Sequence, residues 1–267
     1  TSAYRKSQQL EPVTRLQISA QLTQFPTEIF DLADCLEILD LSHNQLSELP
    51  NDLDRLVNMR ILFLSSNNFQ RIPAVLAACP KLEMISFKSN DLTQVDENVL
   101  PVDTRWLILT DNHIASLPDS MGQLHRLQKL ALAGNRLTQL PDSMSNCRNL
   151  ELVRLSANDL MAMSDWIFQL PKLAWLAFSG NAFNRAEILE SAPTVTEVPL
   201  ENIKLGEVLG EGASGLIYQG EWITQPKGMR HSAASIAVKI FKGAVTSDGY
   251  PQDEVDCCLL AGEHENL

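Results

Sequence analysis

The sequence predicts an α/β solenoid, a stack of parallel strands with return segments on the far side, followed by a smaller antiparallel β unit with one helix. Three observations predict it. The stretch Leu36 to Pro50, LEILDLSHNQLSELP, sets a pattern L-x-L-x-x-N-x-L-x-x-L-P. Its Asn44 returns as Asn67, Asn90, Asn112, Asn135, Asn158 and Asn181, at spacings of 23, 23, 22, 23, 23 and 23 residues, and a near-fixed period of this length marks stacked structural repeats. In every copy the apolar residues five and three before the Asn alternate with outward-facing ones, as strand geometry requires. After about residue 200 the period stops and a glycine-rich hairpin pattern replaces it.

Within the array the inward pairs are Leu39/Leu41, Leu62/Leu64, Ile85/Phe87, Leu107/Leu109, Leu130/Leu132, Val153/Leu155 and Leu176/Phe178. The Asn marks where each strand turns away. Its amide both donates and accepts, so it can satisfy backbone groups that the turn leaves without sheet partners. Behind the turn the pattern L-P-x-x-[apolar]-x-x-[apolar] recurs, as in Leu117, Pro118, Met121 and Leu124 or Leu140, Pro141, Met144 and Cys147. Pro fixes φ and lacks a donor, which costs nothing at a helix-like start. These features resemble the intracellular type of leucine-rich repeat, and the resemblance implies a right-handed solenoid with the sheet on its concave face and a short convex helix after each LP. Leu22, Phe25, Pro26, Ile29 and Leu32 fit the frame without a matching Asn and read as a degenerate first unit. After Asn181 the Pro is lost and the pattern frays into Ala186, Glu187, Ile188 and Leu189, as terminal repeats do.

The concave face is the expected binding surface. The outward position six before each Asn holds Ile38, Ile61, Met84, Trp106, Lys129, Leu152 and Trp175, and the column four before it adds Phe63, Ile108 and Arg154. An apolar stripe with Trp and Arg anchors points to a protein partner. Phe63, Trp106, Ile108, Arg154 and Trp175 are the candidate contacts.

A formal charge of -12 argues against a non-specific nucleic-acid surface, which needs clustered Lys and Arg. No run approaches the roughly 18 apolar residues that span a bilayer, and TSAYRKSQQLEP lacks the apolar core of a secretion signal; the missing initiator Met suggests an excised segment. Cys79 and Cys147 each lie 12 residues after their Asn, where other repeats place Leu56, Val102, Leu124 and Leu170. They read as small core hydrophobes. Three rungs apart, they would be separated by roughly 14 Å, beyond disulfide reach. Cys35 has no evident partner and adjacent Cys257 and Cys258 rarely bridge. A reducing, cytoplasmic setting is expected.

Residues 190–199 read as a linker. After it, IKLGEVLGEGASGLIYQGEW predicts two strands joined by a turn at Gly210, Gly212 and Gly215. A dinucleotide-binding fold would need a helix directly after such glycines, whereas Leu216, Ile217 and Tyr218 continue as a strand pattern. Then come IAVKIF, with Ala237 and Lys239, a segment bearing Glu254, and His264, Asn266 and Leu267. This order resembles the start of a protein-kinase domain over about 65 residues: glycine-rich loop, A-x-K strand, acid-bearing helix and H-x-N-[LI]. The Y-x-G-x-W end of the second strand looks most like the tyrosine-kinase-like or receptor-like group, with bacterial kinases similar. The resemblance implies that Leu209, Gly210, Gly212, Gly215, Ile217, Ala237, Lys239 and Glu254 bind ATP. The glycines would admit the phosphates, Ile217 and Ala237 would pack on adenine, and Lys239 would hold the α- and β-phosphates in an ion pair with Glu254.

The H-R-D and D-F-G motifs of a kinase are absent from these residues; His125-Arg126 lies inside the array and Asp248-Gly249 precedes the expected helix. No catalytic or metal residue is therefore assigned, and the segment alone is expected to be inactive. The domain reading is a repeat array at 1–189, a linker at 190–199 and an incomplete kinase N-lobe at 200–267. In a complete kinase, ATP and Mg²⁺ would serve transfer to Ser or Thr, or to Tyr, of proteins. The alternative is a non-catalytic scaffold with a pseudokinase-like extension.

Overall fold

Each strand of the array is three residues long, one inward side chain between two outward ones, and the second residue of the inward pair follows just beyond its end. The computed structural model describes residues 12–184, 197–212, 214–225, 235–243, 245–246 and 249–255. Eight strands, β1 (Arg15–Gln17), β2 (Ile38–Asp40), β3 (Ile61–Phe63), β4 (Met84–Ser86), β5 (Trp106–Ile108), β6 (Lys129–Ala131), β7 (Leu152–Arg154) and β8 (Trp175–Ala177), form one sheet in chain order. Every pairing is parallel and in register, from Leu16 opposite Leu39 to Val153 opposite Leu176.

The asparagines zip the rungs together. Asn112 Oδ1 accepts the Leu92 amide of the preceding rung at 3.0 Å, while its Nδ2 donates to Leu109 O at 3.0 Å and Phe87 O at 2.9 Å. The same pattern recurs at Asn67, Asn90, Asn135, Asn158 and Asn181. Each inward carbonyl thereby serves two amides: Leu109 O receives both Asn112 and Asn135. Asn44 ties in the first unit through the amides of Ala20 and Leu22 and through Ile18 O. All seven side chains are buried, so each bond forms in a medium where leaving it unmade is costly.

The core lies between the sheet and the return segments. Inward pairs from Leu39/Leu41 to Val153/Leu155 are buried, as are Leu46, Leu53, Leu56, Phe69, Leu76, Met121 and Met144 behind them. Phe69 and Phe87 pack edge to face at 5.2 Å. The last pair departs from expectation: Leu176 is half-buried and Phe178 is 36% exposed, stacked on Phe183 at 5.9 Å. Among the described residues β8 has no further rung beside it, so its inward face is covered on one side only.

The short helices expected in the return segments are 3-10 helices. They span Thr27–Leu32, Leu53–Arg55, Ala74–Ala78, Asp119–Gln123, Asp142–Asn146 and Asp165–Gln169. The Pro carbonyl opens the turn by accepting an amide three residues on, as Met121 N–H does to Pro118 O. Six residues or fewer suit the tighter 3-10 geometry, which gains one bond sooner. Pro is not required, since Ser164 starts the last such turn. The 22-residue repeat absorbs its deletion here. Asp96 stands where Pro would, no 3-10 turn forms, and Asn98 adopts φ 58°.

Cys79 and Cys147 are buried in the core as free thiols, and the Cys147 thiol donates to Met121 O at 3.2 Å. Beyond the array β9 (Ile203–Glu211), β10 (Gly215–Trp222) and β11 (Ser235–Phe241) form an antiparallel sheet in the order β11-β10-β9. Residues 251–255 are helical. The expected fraying at Ala186 to Leu189, most of the linker, and Cys257, Cys258, His264, Asn266 and Leu267 lie outside the described residues.

Candidate functional site

On the open face of the array the in-register pairing turns sequence columns into rows. Ile38, Ile61, Met84, Trp106, Lys129, Leu152 and Trp175 stand side by side, one per strand. The neighbouring row reads Asp40, Phe63, Ser86, Ile108, Ala131, Arg154 and Ala177. The five candidate contacts thus share one surface, with Phe63, Trp106, Ile108 and Arg154 half-buried and Trp175 53% exposed. Trp106 is less open than its place in the row implies, because Lys129 Nζ sits 4.4 Å from its ring centroid. A cation over an aromatic face is favourable, so the Lys129 charge is folded onto its neighbour.

A polar strip that the sequence reading missed borders the apolar row. The residues seven before each Asn include Arg60, Glu83, Arg105, Gln128 and Glu151, and they bond from rung to rung. Arg60 Nη2 donates to Glu83 Oε1 at 2.5 Å, Arg105 Nη2 to Gln128 Oε1 at 2.9 Å, and Gln128 Nε2 to Glu151 Oε1 at 3.3 Å. Exposed pairs of this kind add little stability. They do give the apolar row a polar rim, as interfaces have. The available signal was a column of alternating charge at the repeat period.

The residue before each Asn was also missed. His43, Ser66, Ser89, Asp111, Gly134, Ala157 and Gly180 all have φ between 54° and 71°. This left-handed step turns the chain so that the Asn amide faces the rungs. Only two of the seven are glycine, and the strain at the others is held by the ladder bonds that follow.

In the second unit the strand pairing aligns three of the predicted nucleotide residues. Ile217 of β10 lies opposite Lys239 of β11 and opposite Gly210 of β9, so Gly210, Ile217 and Lys239 form one row across the sheet. Ala237, two residues from Lys239, shares its face. Gly212 N–H donates to Gly215 O at 2.9 Å, closing the connection between β9 and β10. A Cβ on Gly210 or Gly212 would meet no atom within 4 Å, whereas one on Gly215 would lie 2.5 Å from Ile240 O. Gly215 is therefore needed by the sheet itself, while Gly210 and Gly212 face open space. Leu209 is 61% exposed and Ile217 38% exposed. Lys239 Nζ pairs with Glu254 Oε1 and lies 4.8 Å from the Phe241 ring centroid. β10 runs unbroken through Leu216, Ile217 and Tyr218, so no helix follows the glycines there.

Among the described residues no group of three or more His, Cys, Asp or Glu converges as a metal cage, and no helix is long and apolar enough to cross a membrane.

Comparison with known proteins bears on the array. Models of the leucine-rich repeat match residues 35–56 and 104–160. The chain is 32% identical over 119 residues to leucine-rich repeat and calponin homology domain-containing protein 1 of Mus musculus, covering 43% of this chain and 17% of that protein. It is 32% identical over 122 residues to the probable inactive serine/threonine-protein kinase roco10 of Dictyostelium discoideum, covering 42% of this chain and 4% of that protein. A solved leucine-rich-repeat protein of Leptospira interrogans superimposes with TM-score 0.52 at 25% identity, over 66% of this chain and 51% of that one. The chain thus spans less than a fifth of the length of these two curated relatives. The eight-rung sheet with its amide ladder is an array of leucine-rich repeats.

Proposed function

We propose that the repeats recognise a protein through the concave row centred on Trp106, and that the antiparallel unit is the ATP-binding part of a protein kinase which, in a longer chain, phosphorylates Ser or Thr, or Tyr, of proteins. The observation that carries the second half is the alignment of Gly210, Ile217 and Lys239 across the sheet together with the Lys239–Glu254 pair. A glycine backbone, an apolar side chain and a carboxylate-steadied ammonium in one row suit phosphates at one end and a purine at the other. Mg²⁺ would come with the nucleotide. For the first half, an apolar row with two Trp and a polar rim matches the composition of recognition surfaces.

A second reading, a non-catalytic scaffold, draws support from the likeness to a relative described as a probable inactive kinase. One experiment separates them. The chain extended through its natural continuation should incorporate labelled phosphate with Mg²⁺ and ATP, and Lys239→Met should reduce this at least about a hundredfold, the scale of losing one electrostatic stabiliser. Absence of incorporation by the unaltered protein favours the scaffold, and unchanged incorporation by the variant removes Lys239 from the site.

A further inference from the structure

The last three rungs differ from the others at the two residues preceding the ladder Asn. The pairs are Ser42-His43, Ser65-Ser66, Lys88-Ser89 and Thr110-Asp111 in the first four, then Ala133-Gly134, Ser156-Ala157 and Ser179-Gly180. In the first four His43, Lys88 and Asp111 are exposed and only Thr110 is buried, whereas Ala133, Ser156, Ala157 and Gly180 are buried in the last three.

Val245, Gly249 and Asp253 cover them. A Cβ on Gly134 would lie 2.6 Å from Val245 Cγ1, and one on Gly180 would collide with the Asp253 carboxylate. Gly249 backs onto the neighbouring rungs, its own hypothetical Cβ falling 2.9 Å from Ser156 Cβ and 3.2 Å from Ser179 Oγ. Thr246 and Gly249 are both buried and close as an antiparallel bridge, Thr246 N–H donating to Gly249 O at 2.8 Å and its hydroxyl to the same oxygen at 3.0 Å. Small residues on the array let the Val245 and Asp253 side chains reach its backbone, and Gly249 lets the segment's backbone reach Ser156 and Ser179.

We propose that the small-residue edge of the last three rungs is a seat for the chain's own Val245, Thr246, Gly249 and Asp253, and that the seat holds Glu254 opposite Lys239. Asp253 on Gly180 adjoins Glu254 directly, so a shift of the segment on the array moves the carboxylate of the ion pair. The array and the lobe are then coupled within one chain, and a protein bound to the last rungs would act on the Lys239–Glu254 pair. The importance of that pair rests on the nucleotide-binding reading above; the seat does not.

Two variants and two readouts test it, neither using nucleotide. Gly134→Ala/Gly180→Ala adds only two methyl groups, and Ala157 at the equivalent position with φ 55° demonstrates that the turn accepts alanine. Val245→Asp places a charge against the seat from the other side. Ser66→Ala, on an uncovered rung, is the control. Amide exchange of peptides covering 245–255 should quicken at least about tenfold in both seat variants while the ladder amides stay protected, and reductive methylation of Lys239 should quicken with it as the ion pair opens. Unchanged exchange in both variants would overturn the seat. Faster exchange with unchanged Lys239 labelling would overturn its link to Glu254. Failure of phosphate transfer in the extended chain would sink the kinase reading and leave both readouts intact.

Discussion

Replacing Asn112 with Ala should cost about 3 kcal/mol of array stability, a figure that follows from what each partner keeps. The Leu92 amide, buried at 0% exposure, loses its acceptor Asn112 Oδ1 at 3.0 Å. Orphaning such a donor costs roughly 1–3 kcal/mol. The carbonyls of Phe87 and Leu109 lose one donor each but keep another, from Asn90 Nδ2 at 3.0 Å and Asn135 Nδ2 at 2.9 Å. Losing one of two bonds costs less, on the order of 0.5–1 kcal/mol apiece. Asn149 supplies the control. It also makes two bonds across the repeat, to His125 O at 2.7 Å and from Lys172 Nζ at 2.6 Å, but at an exposed site where water can replace the partner. Asn149→Ala should cost under about 1 kcal/mol. Urea unfolding followed by both far-ultraviolet dichroism and tryptophan fluorescence reads the difference, with an unchanged slope required, because repeat arrays can lose cooperativity. Equal losses in the two variants would refute the burial argument for the ladder.

Two further predictions concern titration. Burial pushes the Cys147 thiol up from 9.0 to about 11. Between those values the unfolded chain loses its thiol proton and the folded one keeps it, so stability falls as pH rises from about 9 toward 11, by up to about 1.4 kcal/mol per pH unit for this group. Unfolding measured at pH 8 and 10.5 should show a drop that Cys147→Ala lessens. An equal drop in the variant would mean that the thiol does not carry it. Glu97 is held below its usual 4.5 by the Ser120 hydroxyl and by the amides of Ser120 and Asp119, at 3.0 and 3.2 Å. Its small contribution is present above the usual value and is lost as pH falls through the lowered one. Carboxyl titration by nuclear magnetic resonance should find Glu97 moving upward in Ser120→Ala, and no movement would remove the hydroxyl as the main cause.

The amide ladder was legible because one chemistry, a side chain that donates and accepts, is needed at every turn and so recurs as one residue type. The inward pairs and outward rows followed from the same period, since a register fixed at one rung is fixed at all. Other features leave no such trace. The left-handed residue before the Asn is His, Ser, Ser, Asp, Gly, Ala and Gly in turn, because context rather than identity imposes its φ. Five-residue return turns read alike as helix or 3-10 in a pattern of two apolar positions. Lys129 on Trp106 joins residues 23 apart in sequence that the sheet makes neighbours. Exposure of Phe178 reflects the end of the sheet, not its own repeat. In the second unit the hairpin was readable, while the row formed by Gly210, Ile217 and Lys239 depends on a strand register that a bulged pairing sets.

Recognition by the concave row is tested most directly by the affinity of the purified chain for its protein partner before and after joint replacement of Trp106 and Trp175 by Ala, with Phe168→Ala as control. Phe168 is 65% exposed in the return turn Asp165–Gln169, away from the row. Anchors of this kind are worth about 2 kcal/mol or more each, so binding should weaken at least about a hundredfold in the double variant and hold within a few-fold in the control. Equal affinity of the double variant and the unaltered chain would contradict the assignment of this face.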